Sequence, residues 1–487
     1  MIPKQLIYQN KVESAAARSY KSNIAPQNGT GNYGAGDTII INIPTRANLV
    51  TAMSENYLKF DVSFTNGATA NNYLRWDSCG AHGLIQRIRV FSGSNLLSDI
   101  DNYGMMAKML FDIQVPTDSA YGKYNILAGC RSDLTLYFPA YADANALLTR
   151  IAGKPFSAFC SNSGVKLNSA QIAVNAVQTG GTYCLNLLSL VDSLCSEKYF
   201  PLFACTSAPL RVEIQLVSTP LQAICSQVAL SSFSISNCEY IANMIELSDS
   251  AMQVITDSTG DNPLQFVFSD YRNFVNTSVL ADATAATINT PIAAKYASLK
   301  SIICTIRDTS KSTAITYFPF SSHHFNLVEY TFRIGPNILP SKAPNTYPEM
   351  FSELVKTIGS MSDINHQPSI DYYSYSGNIT KGPNATAIST AASASNFWGP
   401  IANGTETLGL VSGNVNSGSF YIGIDLENYT SADRSTVFAG YNSNTDDIYL
   451  QANFGGVSGG VTSLRFDSYA MFDSVLVFQN GTAYVKF

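Results

Sequence analysis

The sequence predicts an all-β protein built as two tandem sandwiches of one design. Three observations carry this reading. Runs of alternating apolar and polar residues recur along the chain. Helical patterning is confined to two short stretches. An unusual phrase, Gly-x-Asn-[Leu/Ile]-Leu, occurs twice with matching surroundings.

Alternation with period two marks a strand buried on one face. Leu58-Lys59-Phe60-Asp61-Val62-Ser63-Phe64 and Leu210-Arg211-Val212-Glu213-Ile214-Gln215-Leu216 are clear cases. Thr38–Ile43 is β-branched and stops at Pro44, which cannot donate to a ladder. Gly, Asn, Ser and Asp clusters separate such runs and read as turns. The two helical candidates are residues 101–113 and 346–358, the second with Pro348 in its first turn.

The doubled phrase extends into a duplication. Gly93 and Gly335, Asn95 and Asn337, and Leu97 and Leu339 are each 242 residues apart. Tyr103, Met106 and Leu110 then match Tyr347, Met350 and Leu354 at 244, so both copies run from strand through turn into helix. Upstream, Leu58-Lys59 matches Leu299-Lys300 at 241. Downstream, Tyr183 matches Tyr421, and Leu210, Val212 and Leu216 match Ile448, Leu450 and Phe454, at 238. Residues 233–247 finally lie over 464–478 at 231, placing Ile235, Tyr240, Ile245 and Leu247 on Phe466, Met471, Leu476 and Phe478. The order is kept and the offset drifts slowly, as loop insertions require. The period far exceeds the ~20–50 residues of a solenoid.

The boundary is expected near residues 250–262, a stretch that is polar and turn-rich at its end. The expected division is an N-terminal arm at 1–35, a first domain at 36–250 and a second at 251–487. Eight short strands per copy, with long excursions at 114–182 and 359–420, suit a jelly roll with a short helix and long upper loops. Burying a Leu- or Phe-sized side chain contributes ~1.5–3 kcal/mol against ~1–2 kcal/mol of ordering cost per residue. Loops rich in Ser and Asn do not meet that cost alone, so they are expected to pack on the partner domain or another subunit.

Composition narrows the function. Apolar residues make up 46% of the 487, which indicates a globular chain; charged residues make up only 13%, about half the usual ~25%. Net charge is −6, and Lys4, Lys11, Arg18 and Lys21 are dispersed, so no basic face for nucleic acid is expected. No stretch of 18 apolar residues occurs, and the first residues lack the apolar core of a secretory leader. Nine Cys at irregular spacing imply reduced, mostly buried thiols. No close Cys pair and only four scattered His (82, 323, 324, 366) argue against a metal or acid–base site.

Four motifs carry little. Gly29-Thr30-Gly31-Asn32-Tyr33-Gly34 fits a dinucleotide loop, but a strand follows it where a helix is required. Gly456-Val457-Ser458-Gly459-Gly460 fits a hydrolase elbow, but it joins two strands. Sequons at Asn28, Asn276, Asn378, Asn384, Asn403, Asn428 and Asn480 are what this composition yields by chance. Asp99 and Asp101 form no cleft pair, and Asp101 is expected to cap the following helix. No catalytic, cofactor-binding or metal-binding residue is therefore expected.

The duplicated pattern resembles the double jelly-roll major capsid proteins, the lineage of adenovirus hexons, membrane-containing icosahedral phages, virophages and polinton-like viruses. The resemblance rests on LKFDVSF, IQRIRVFSGSNLLSDIDNY with its helix, and VEYTFRIGPNILPSKAPNTYPEMFSELVKTI, and extends from about residue 36 to 487. It implies a non-enzymatic subunit that self-assembles as a pseudo-hexagonal homotrimer in an icosahedral shell. It also implies location in the virion after synthesis in host cytoplasm, and partners among neighbouring capsomers, penton proteins and minor capsid proteins. The arm would lie at the inner face, towards a membrane or a minor protein. The alternative is a tandem β-sandwich lectin or receptor-binding spike, using Tyr372, Tyr373, Tyr375 and Trp398 to stack on sugars. A β-sandwich hydrolase is the weakest reading.

Overall fold

The computed structural model describes residues 17–29, 31–67, 74–129, 177–187, 199–226, 230–259, 263–280, 285–309, 318–359, 368–370, 375–376, 418–428, 440–455 and 462–486. Lobe 1 contains β1 (Ala17–Ile24), β2 (Thr38–Asn42), β3 (Leu49–Ala52), β4 (Tyr57–Asn66), β5 (Ile85–Ser92), β6 (Asn95–Asp101), α1 (Tyr103–Gln114), β7 (Val177–Leu185), β8 (Leu210–Leu216) and β9 (Leu230–Leu247). After α2 (Asp249–Thr259), lobe 2 contains β10 (Leu264–Leu280), β11 (Ala286–Ile292), β12 (Leu299–Asp308), β13 (Leu327–Ile334), β14 (Asn337–Leu339), α3 (Tyr347–Lys356), β15 (Tyr421–Asp425), β16 (Ile448–Phe454), β17 (Thr462–Gln479) and β18 (Thr482–Lys486).

The lobes share one topology. Lobe 1 pairs its strands β7-β4-β9-β1 in one sheet and β2-β8-β5-β6 in the other. Lobe 2 pairs β15-β12-β17-β10 and β11-β16-β13-β14. All these ladders are antiparallel, and each lobe is a jelly roll. The register agrees with the sequence duplication. Val212 faces Val90 and Leu450 faces Phe332; Leu210 faces Ser92 and Ile448 faces Ile334. The 238- and 242-residue offsets, taken from different strands, thus close on the same pairs. Gly93 (φ 59°) and Gly335 (φ 54°) occupy the positive-φ corner of the two-residue hairpin turns, where a side chain is strained.

Alternation does what the pattern requires. Leu58, Phe60, Val62 and Phe64 are buried, while Lys59 and Asp61 are partly exposed. They meet Ile39, Ile41, Ile88, Val90, Val212 and Ile214 of the facing sheet. Trp76 closes this core, with its indole N–H on the Tyr183 hydroxyl at 3.0 Å.

Three features depart from expectation. Ala17–Ile24, inside the segment read as an arm, is the edge strand of lobe 1 and pairs with β9. The junction begins with a helix, Asp249–Thr259, that the sequence pattern does not announce. β18 lies along Val475–Gln479 of β17, the stretch equivalent to Met244–Glu246 of β9 where β3 pairs. The chain's last strand thus fills in lobe 2 a place that a strand preceding β4 fills in lobe 1. The excursion at 114–182 begins with short helical turns at 117–128, and most of the excursion at 359–420 lies outside the described residues.

Candidate functional site

The two lobes meet along a polar seam that holds several buried charges. Lobe 1 contributes β6, α1 and the turn before β5; lobe 2 contributes β10, β18 and the residues leading into β13 and β15.

At one end stands Lys108 of α1. Its side chain is fully buried, as is that of Asp77, and Asp112 sits one helical turn on. The Lys108 ammonium lies 2.9 Å from Asp112 Oδ2 and 3.4 Å from Asp77 Oδ1, and donates to Ser78 Oγ at 3.0 Å and Ser419 Oγ at 3.1 Å. Asp112 Oδ2 also accepts from Ser419 at 2.8 Å and from the Tyr421 hydroxyl at 2.7 Å, both in lobe 2. Burial alone would lower the Lys108 pKa; the attraction of Asp112 and Asp77 outweighs it and holds the ammonium above its ordinary value. Burial, reinforced by Asp112, pushes the Tyr421 phenol well up, so it stays a donor.

Beside this cluster Phe320 of lobe 2 enters a socket floored by two glycines of lobe 1. A Cβ on Gly83 or on Gly104 would stand 2.7 Å from its ring. The Phe320 N–H donates to Asp77 Oδ2 at 3.3 Å. Further along, the Tyr469 hydroxyl donates to Asn102 C=O at 3.0 Å, and the Ser98 hydroxyl donates to Asp270 Oδ1 at 3.1 Å. Burial raises the Asp270 carboxyl to about 7, against the opposing bonds from Tyr271 N–H and Ser98. At the far end the β17–β18 turn grips lobe 1. Gly481 C=O accepts from Ser207 and Ala208 N–H at 3.1 and 3.2 Å, and Ala483 bonds Ser92 Oγ and Asn95 Nδ2 at 3.1 Å each. Phe478 meets Phe200 edge-on, centroids 5.5 Å apart.

The residues singled out from sequence fall elsewhere or into structural roles. Asp101 does not cap α1: Asn102, in the left-handed region, precedes the helix, no side chain caps it, and Asp101 Oδ1 accepts from Gln86 at 3.1 Å. Asp99 holds Arg87 with two bonds of 2.7 Å. His82 and His323 are buried, and desolvation lowers both to about 3, so they are neutral core groups. His324 packs on Tyr347, and His366 lies outside the described residues. Gly29–Gly34 leads into strand β2. Gly456–Gly460 lies outside the described residues, between β16 and β17. Cys79, Cys184, Cys205, Cys238 and Cys304 are free thiols. Tyr375 is buried and donates to Tyr421 C=O at 3.0 Å, anchoring its loop; Tyr372, Tyr373 and Trp398 lie outside the described residues, as do sequons Asn378, Asn384 and Asn403.

The sequence reading missed the Lys108 cluster. Its signal was one Lys and one Asp, four apart, in a helix otherwise apolar on every face. A helix apolar all round is buried, and charges inside it need partners from elsewhere in the fold.

Comparison with solved structures decides the architecture. PBCV-1 VP54, as fitted into a reconstruction of the virophage Sputnik, covers 99% of both chains at 9% identity with a TM-score of 0.55. The Sputnik virophage structure matches over 99% of this chain and 92% of that one, at 11% identity and TM-score 0.58. The mavirus major capsid protein matches over 96% and 90%, at 10% identity and TM-score 0.50. The chain is a double jelly roll. No family model and no curated protein matches the sequence. At such identities the double jelly roll is preserved by topology and core pattern, and what it does must come from its surfaces.

Proposed function

We propose that this double jelly roll is a viral major capsid subunit that works as a pseudo-hexagonal homotrimer in an icosahedral shell. The observation that carries the reading is the form of the seam. It joins the β6 edge of lobe 1 to the β10 edge of lobe 2, so it is head-to-tail. Lobe 2 has its own counterpart of β6, which is β14, and lobe 1 has its own counterpart of β10, which is β1. One chain therefore carries one closed joint, β6 on β10, and both open halves of a second, β14 and β1. Repeating the joint between copies generates a ring, and three chains supply six lobes.

The helices support this. Tyr103, Met106 and Leu110 of α1 match Tyr347, Met350 and Leu354 of α3, yet α1 is buried on all sides, between lobe 1 and the seam, while α3 buries only Met350 and Leu354. Ile338 on β14 is 47% exposed beside Leu339, at the position the joint would cover. A chain with only 13% charged residues has few ions to desolvate on assembly. Once Ala17–Ile24 is assigned to lobe 1, residues 1–16 remain as the arm, and the domains divide near α2. Penton and minor capsid proteins complete the shell. The free thiols suit synthesis in a reducing host cytoplasm before incorporation into the virion.

Mass measurement in solution with negative-stain imaging tests the reading. The expected particle is a trimer with a six-lobed outline, and Ile338→Asp is expected to leave folded monomers. A wild-type protein that stays monomeric at every concentration overturns it.

A further inference from the structure

The two lobes differ at one edge. In lobe 1 the outer edge of β2 is covered by the chain's own Gln27 and Asn28. Gln27 N–H donates to Ile40 C=O at 2.8 Å, Asn28 Nδ2 donates to Thr38 C=O at 2.6 Å, and Asn28 Oδ1 accepts from Ile40 N–H at 3.2 Å. Asn42 Nδ2 adds a bond to Gln27 Oε1 at 2.9 Å.

The equivalent strand of lobe 2 is β11. Thr38, Ile40 and Asn42 face Gln215, Glu213 and Arg211; Thr287, Asn289 and Pro291 face Asn453, Gln451 and Tyr449, each 238 residues on. Pro291 C=O accepts from Asn276 Nδ2 at 2.8 Å, so the backbone groups of 287, 289 and 291 point away from β16, as antiparallel alternation requires. Among the described residues, nothing bonds Thr287 C=O or the N–H and C=O of Asn289 on that side. The cause is local. β1 ends at Ile24 and the chain then folds over β2, whereas β10 continues straight along β17 to Leu280. Beside the open edge lies a groove of about 410 Å³ walled by Phe274, Val275, Pro291, Ile292 and Tyr449. Val275 is 43% and Tyr449 41% exposed, and the Lys295–Asp447 pair at 2.8 Å stands at the rim.

An unpaired edge flanked by a partly apolar groove suits an added strand. We infer that the β11 edge receives the chain's N-terminal segment, residues 1–16, with Gln9–Asn10 bonding Thr287 and Asn289 as Gln27–Asn28 bonds Thr38 and Ile40. The sequence contains three Gln-Asn steps, at 9–10, 27–28 and 479–480. The second covers β2 and the third makes the β17–β18 turn, which leaves Gln9–Asn10. Leu6, Ile7 and Tyr8 precede it and suit the groove. Sixteen residues reach about 53 Å when extended, against roughly 14 Å across a four-stranded sheet. The segment is therefore long enough to cross a four-stranded sheet with length to spare.

The test is a cysteine pair in the full chain, Gln9→Cys with Asn289→Cys, oxidised and mapped by mass spectrometry. A 9–289 disulfide is expected, and it should vanish when Arg46→Cys replaces Asn289→Cys. An intrachain or an interchain link supports the inference alike, and gel mobility separates them. In parallel, deleting residues 1–16 should speed amide exchange at Asn289 roughly tenfold, the loss of about one net hydrogen bond, and adding a synthetic 1–16 peptide should restore it. No 9–289 link, together with unchanged exchange after deletion, overturns the inference and leaves the capsid reading standing.

Discussion

Replacing Lys108 with Met keeps the volume of the side chain and removes its charge. Two buried carboxylates then lose their cation: Asp112, 2.9 Å from the ammonium, and Asp77, 3.4 Å away. The hydroxyls of Ser419 and Tyr421 remain on Asp112, and Ser78 and Phe320 N–H remain on Asp77. They stabilise but do not neutralise. Breaking one side of a buried ion pair costs about 3–5 kcal/mol, and about 4 kcal/mol is a thousandfold in the folding equilibrium. Equilibrium denaturant unfolding, followed by the fluorescence of Trp76 and Trp398, reads the loss. The triple variant Lys108→Met, Asp77→Asn, Asp112→Asn should recover at least half of the loss, since neutral amides can use the same hydroxyls. An unchanged midpoint in Lys108→Met, or a triple variant no better than the single one, refutes the view that this cluster ties the lobes together.

Gly104→Ala should destabilise the fold by about 1–3 kcal/mol in thermal unfolding, although Ala is worth about 1 kcal/mol more than Gly in a helix, because its Cβ would stand 2.7 Å from the Phe320 ring. Phe320→Ala empties the same socket and should cost about 3–5 kcal/mol; in that background Gly104→Ala should turn neutral or favourable. His82 and His323 fall from 6.5 unfolded to about 3 folded, so the stability they contribute is complete above pH 6.5 and is lost as pH falls towards 3. Denaturation curves of His82→Gln and His323→Gln should show a flatter acid limb. Asp270 has the opposite sign: its folded value of about 7 lies above the unfolded 3.8, so its contribution is complete below 3.8 and lost as pH rises through 7. Asp270→Asn should therefore gain on wild type as pH is raised from 4 to 8.

Much of the fold was legible because the core obeys simple periodicities. Val212 and Val90 announce themselves by alternation, and their duplicates Leu450 and Phe332 do the same. What could not be read is where the copies stopped being equivalent. Lys108 corresponds to Ser352 and Asp112 to Lys356 at the offset of 244; Ser352 and Lys356 turn to the surface, where Lys356 pairs with Glu353. Nothing in either helix alone says which one will be enclosed, because enclosure depends on the other lobe. The same holds for Asn42, which closes the β2 edge, and Pro291, its counterpart on the open β11 edge. A duplicated chain begins with two identical surfaces. Selection can then give a buried charge to the face that meets its sibling and an open edge to the face that meets something else. Substitutions between otherwise matching copies are therefore where the two lobes diverge: the seam at 108 and 112, the edge at 287–291, and the exposed Ile338.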